Sequence, residues 1–366
     1  MLDVSAMKPA AREAARPAPR ARIVLDMRQS LPAWKQGLFL GGSLLVGLAI
    51  SVAILAAAGI TPLQLAAELA GAINAESLRN ILIQTAPLIL VGLAASLAFR
   101  MGFWNLGLEG QMLFGGIFAT AVSIYEIGPA SIRLVLMLCA AALGGGLWCL
   151  LAAFLKMRFR VNEIIATLLL NYVAMYFLFH LLYGAWQDAR SAFPQSTPYK
   201  PFERLTEIGF GINSGLLIAL AVVIAAGWLI HFSRVGFYMR FISANPSMAK
   251  VVGIPIKPIT IWIVAIAGAC AGLAGFVNVA SQEGRLTQSF ADGYVFSGVL
   301  IAFLSRNDPI VVAIVGFLIA VLFIVGQSLQ IFYQIPFTMV QLIEAIIVMA
   351  VASSEFLIRH RIRGIR

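Results

Sequence analysis

Apolar residues run through this chain in blocks whose length suits a bilayer-spanning helix, about 20 residues, or fewer where the helix is broken inside the protein. The blocks fall near 37–59, 80–99, 109–125, 133–154, 163–184, 214–232, 258–280, 293–305, 309–330 and 335–355. The pattern predicts an all-α polytopic membrane protein of about ten transmembrane helices, with the third and eighth short.

The polar punctuation orients these blocks. Lys156, Arg158 and Arg160 follow the fourth, and Arg234, Arg240, Lys250 and Lys257 follow the sixth with no acid between them. The chain closes on the basic run Arg359 to Arg366. Loops rich in Lys and Arg stay on the cytoplasmic side. The stretch from Asp188 to Glu207 mixes both signs with prolines, as an external loop would. Ten alternating passes with both termini cytoplasmic satisfy all of these assignments.

Composition agrees. Of 366 residues, 61% are hydrophobic and 11% charged, against about a quarter charged in soluble domains. The net charge of +10 sits in tails and short loops, so it marks cytoplasmic segments and not a nucleic-acid surface. Residues 1–36 form a basic tail with no early apolar region of a signal peptide and read as disordered. Residues 37–355 form the transmembrane domain, with a cytoplasmic loop at 233–257, and 356–366 form a second basic tail. Cys139, Cys149 and Cys270 stand alone in apolar runs without a pairing or metal motif.

Two stretches repeat. FWNLGLEGQ (Phe103–Gln111) ends the second block and FVNVASQEGR (Phe276–Arg285) the seventh. Both carry Phe, any residue, Asn, an apolar residue, then Glu-Gly. Five is an odd number of passes, so the two halves would enter the membrane in opposite directions. Such inverted five-helix repeats place transport sites near the midplane at discontinuous helices. Glycines 107 and 110 are expected to break the helix and free backbone groups. Asn105, Glu109, Gln111, Asn171, Asn278 and Glu283 are then candidates to line a pathway. Glu109 has a second reading, as an acid stabilised at the N-terminus of the third block. Glu163, Gln327 and Glu344 are further polar residues in apolar surroundings.

The loop after the sixth block holds a helix-start signal. Asn245 can cap, Pro246 suits the first helical position, and Gly253 can stop the helix two turns later. Met248, Val251 and Val252 form a small apolar face that needs lipid or a protein partner. Ala249 is expected to leave room for that partner.

These stretches resemble the permease subunits of ATP-binding cassette importers of the ribose, branched-chain amino acid and nucleoside group. The resemblance rests on NLGLEGQ (Asn105–Gln111), VNEIIATLLLNYVA (Val161–Ala174), ANPSMAKVVGI (Ala244–Ile254) and AGACAGLAG (Ala267–Gly275), and covers roughly residues 37–355. The Asn-Glu-Ile-Ile-Ala-Thr and Leu-Asn-Tyr pair is most like nucleoside permeases served by basic-membrane-protein-type lipoproteins. The family usually has Phe-Asn-Ile-Gly where this chain has Trp104-Asn105-Leu106-Gly107, a departure that bears on the solute.

The resemblance implies that Asn245, Pro246, Met248, Ala249, Val252 and Gly253 form a coupling helix docked on a cytoplasmic ATPase. It also implies a second, related but non-identical permease, an extracytoplasmic binding protein, and an inner-membrane location. A nucleoside is the first expected solute and a sugar the second. The chain has no phosphate-binding GxxxxGK[ST] loop and no HExxH, so no cofactor and no catalysis of its own are expected, with ATP left to the partner. The competing reading is an ion-gradient-driven transporter using intramembrane carboxylates.

Overall fold

A computed structural model describes residues 22–27, 32–71 and 74–365; the remainder of the basic N-terminal tail lies outside the described residues. All ten apolar blocks are helical. They are α1 (Ala33–Ala57), α3 (Ala75–Arg100), α4 (Leu108–Ile124), α5 (Ala130–Phe159), α6 (Glu163–Leu182), α7 (Gly215–His231), α10 (Ile256–Asn278), α11 (Tyr294–Leu304), α12 (Pro309–Tyr333) and α13 (Phe337–Arg359). Three further helices lie between the blocks: α2 (Pro62–Gly71) and α8 (Arg234–Ala244), which were not expected, and α9 (Pro246–Val251), which was.

Among the described residues, six helices are long and apolar enough to cross a membrane, and the pair α7–α8, bent by 67°, makes a seventh. Two of the remaining apolar helices are short. α4 has 17 residues and α11 has 11. At 1.5 Å per residue they reach about 25 Å and 16 Å, against about 30 Å of hydrocarbon. An element as short as α11 can sit at membrane depth only if its ends are buried in protein or face a wet cavity.

Residues 47–349 form one unit. Its centre is α3, in which every residue from Gln84 to Ala98 is buried, together with the second half of α10. α3 packs against α10, α11 and α12, and less extensively against α7, whereas α10 packs mainly against α3, α4 and α5. Shifting by five blocks maps α3 onto α10, α4 onto α11 and α5 onto α12, so the three main neighbours of each correspond, while α7 packs on α3 without such a counterpart.

The small-residue run of α10 lets backbones touch. A Cβ on Gly115 of α4 would stand 2.3 Å from the Gly272 carbonyl, and one on Gly145 of α5 would stand 2.4 Å from that of Gly268. Small residues at such crossings are how apolar helices associate without a hydrophobic driving force. The glycines of α4 beyond the break take part in this. Gly115 and Gly116 lie inside a continuous α4 and serve packing, not breakage.

After α6 the chain forms a long strap, residues 183–214, ending in a hairpin of β2 (Glu207–Gly209) and β3 (Ile212–Asn213). The second unit comprises the described parts of the two chain ends. There β1 (Arg22–Met27) pairs antiparallel with β4 (His360–Ile365), Arg22 opposite Ile365 and Met27 opposite His360.

Candidate functional site

The helix stops after Arg100, and residues 101–107 lead irregularly into α4. Gly102 takes the bend with φ +75°. The N–H groups at the start of α4 have no partner inside the helix, and buried donors left alone are costly. Side chains from this stretch and from α6 supply the partners. Asn105 accepts from the Gly107 N–H at 3.0 Å, and its amide exchanges two hydrogen bonds with Gln111, at 2.8 and 3.0 Å. Asn171 accepts from the Gly110 N–H at 2.9 Å and donates to the Leu106 carbonyl at 3.0 Å. Thr167 accepts from the Leu106 N–H. Gly110 is inside α4, not at the break; a Cβ there would lie 2.8 Å from Trp148 Nε1 and 3.0 Å from Asn171 Oδ1.

Three pathway candidates, Asn105, Gln111 and Asn171, are thus brought together in a buried knot. Glu109 lies in the first turn of α4. Glu163 opens α6 behind its cap Asn162 and pairs with Lys156 at 2.7 Å. The side chain of Glu344 lies outside the described residues.

The stretch after α10 breaks differently. The helix runs on past Phe276 to Asn278, widens into a π turn over Val279–Glu283, and stops at Gly284, φ +65°. Single π turns of this kind are frequent at functional sites. Asn278 donates to the Phe290 carbonyl. The break opens a cavity of about 340 Å³ whose walls include Gln84, Asn278, Gln282, Glu283, Asp292 and Tyr294. Phe323 and Gln327 of α12 complete it. Gln282 donates to Gln84 at 2.8 Å, and Gln84 to the Tyr294 hydroxyl at 2.9 Å. Of the six pathway candidates, Asn278 and Glu283 line this cavity. Gln84, Gln282, Asp292 and Tyr294 were missed. Gln84 carried a signal, being an amide in an otherwise apolar run.

The strap fastens this break from outside. The N–H groups of Ser196, Tyr199 and Leu205 donate to the carbonyls of Leu286, Gly284 and Ala280. The strap is tied to the α4–α5 tip as well. Tyr199 bonds Thr120, and the fully buried Glu203 accepts from Ser123 at 2.7 Å and Arg133 at 3.0 Å. At the surface, the hydrogen bond from Lys200 holds the Glu126 carboxyl below the usual carboxylate range.

On the other side of the sequence pattern, α9 forms as expected. Asn245 accepts from the Met248 N–H at 3.1 Å, Pro246 opens the helix, and Gly253 closes it at φ +83°. Met248, Val251 and Val252 are exposed, Val251 to 84%. Ala249 is different from its expected role. It is fully buried against its own chain, so it anchors the helix and offers no room to a partner.

Residues 77–352 match the family described as branched-chain amino acid transport system / permease component. The chain belongs to that family. The permease is 33% identical to the glucose ABC transporter permease protein of Haloferax volcanii, over 93% of each chain. It is 32% identical to the guanosine ABC transporter permease protein of Bacillus subtilis, over 74% of this chain and 79% of that one. A probable riboflavin import permease protein of Treponema pallidum is 26% identical over 63% of this chain and 62% of its own. It is therefore an ABC transporter permease, a multi-pass membrane protein.

Proposed function

We infer that this permease is one of two non-identical transmembrane subunits of an ATP-driven importer in the inner membrane. It passes inward a neutral, hydroxyl-rich solute delivered by an extracytoplasmic binding protein, a nucleoside before a sugar. The named solutes of its relatives, glucose, guanosine and riboflavin, share a polyhydroxylated, uncharged character. ATP is bound and hydrolysed by a cytoplasmic partner, whose closure shifts the permease between two access states through the differential affinity it has for them. Ten passes with both termini inside remain the proposed topology. The corresponding main neighbours of α3 and α10 support an inverted repeat.

The observation that carries this reading is α9. A six-residue helix, capped at both ends in a basic loop, holds three apolar side chains out of its own chain. Replacing Val251 by Glu tests it. Exposed substitutions usually cost under about 0.5 kcal/mol of stability, whereas an unpaired charge buried in a docking groove costs about 3–5 kcal/mol. The Val251→Glu chain should insert normally yet lose both the ATPase in co-purification and ATP-dependent uptake. A variant that keeps both would remove α9 from the coupling path and return the gradient-driven alternative.

Topology is checked separately. In a cysteine-free background, Phe210→Cys at the fully exposed hairpin tip should label from outside in intact cells. Ser247→Cys should not. Equal labelling of the two would break the ten-pass arrangement.

A further inference from the structure

The cavity beside the π turn is more than a gap left by a broken helix. We propose that it is where the imported solute touches this chain, and that it selects neutral solutes carrying interleaved hydrogen-bond donors and acceptors over their phosphorylated counterparts. This rests on the import reading above.

The lining has the chemistry such a solute needs. Gln282 and Gln327 each offer an amide that donates and accepts at once, suited to ribose or hexose hydroxyls and to the edge of a nucleobase. Gln282 is exposed to the cavity, while the buried Gln84 holds its amide in place and is itself held by Tyr294. The Tyr294 and Phe323 rings, 5.9 Å apart and inclined by 37°, give one wall an aromatic face. Such a face takes a base or the carbon side of a sugar ring. At about 340 Å³ the space falls at the lower end of the usual range for small-molecule sites, about 300–1,000 Å³.

Charge supplies the selectivity. Glu283 and Asp292 line the cavity, and among the described residues no Lys or Arg does. Phosphate sites are built from Arg, Lys, backbone N–H groups or metal ions. A nucleoside monophosphate or sugar phosphate would meet two carboxylates and no counter-charge, and like charges in apposition are strongly disfavoured. Carboxylates accept from hydroxyl donors, so the same two groups favour a neutral polyol.

The test uses the complete transporter, with its binding protein and ATP, in proteoliposomes. The permease has its three cysteines replaced and carries Gln282→Cys. The probes are radiolabelled guanosine, glucose and guanosine monophosphate, with an anionic methanethiosulfonate as thiol reagent. Modification should reduce uptake of the neutral solute by about tenfold or more, beyond the loss of one neutral hydrogen bond. That solute at saturating concentration should protect the thiol, and guanosine monophosphate should neither enter nor protect. ATP-dependent uptake that is indifferent to modification, or a thiol that solute leaves unprotected, overturns the site alone. Import of guanosine monophosphate at the nucleoside rate overturns its selectivity. A transporter that imports neither neutral probe with ATP overturns the import reading, and the site with it.

Discussion

The stretch after α3 and the stretch after α10 carry the same residue pattern, and the fold uses them in opposite ways. Phe103 and Phe276 are both buried, as are Asn105 and Asn278 two positions on. In the first stretch the helix has already ended, and Glu109 falls in the first turn of the next helix. In the second the helix continues through Asn278, and Glu283 closes its last π turn. The first break is closed, because Asn105, Thr167 and Asn171 satisfy its backbone groups from within and Gln111 holds Asn105 in place. The second is held from outside by the strap and leaves its polar side chains around an open space. A helix break is therefore not itself a site. What matters is whether neighbouring helices bring amides to consume the polar groups it creates.

The largest expected effect lies in the strap that frames the second break. Arg133→Met leaves the fully buried Glu203 carboxylate without its cation, at a cost of about 3–5 kcal/mol. The melting temperature should fall, and protease should cut within residues 183–214 in the variant first. If neither happens, the strap does not hold the second break as described.

A comparable loss is expected at the first break. Asn171→Leu strands the Gly110 N–H and the Leu106 carbonyl, each worth about 1–3 kcal/mol when buried and unmet. Thermal unfolding should register it clearly. Gln282→Ala, the matched change at the open break, leaves the Gln84 oxygen facing the cavity, where water can replace the lost donor, so it should cost less than Asn171→Leu while slowing solute uptake. Reversal of this pair, with Gln282→Ala unstable and Asn171→Leu transporting poorly from a stable fold, would undo the contrast between a knot and a cavity.

Much of this was legible in the chain. The ten apolar blocks all proved helical, because the length of an apolar run is a local property and a helix satisfies its own backbone. The α9 handle was legible for the same reason, with Asn245, Pro246 and Gly253 each acting within a turn of their own position. The exposed apolar face of that handle, Met248, Val251 and Val252, was legible too. Only the burial of Ala249 was missed, since the side a short helix turns inward depends on what it rests against.

The sequence by itself determined which ten apolar stretches are helical and that the polar residues among them are few and placed near interruptions. Those outcomes follow from capping, helix propensity and apolar length, which act over a few residues. Only the tertiary structure decided which interruption is sealed and which is open. Asn171 lies 61 positions from the Gly110 N–H it accepts from, and Gln282 lies 198 positions from Gln84. A buried amide has the same chemistry in both places. Whether its hydrogen bonds go to the backbone or remain available to a solute is set by the distance to partners that the chain order does not reveal.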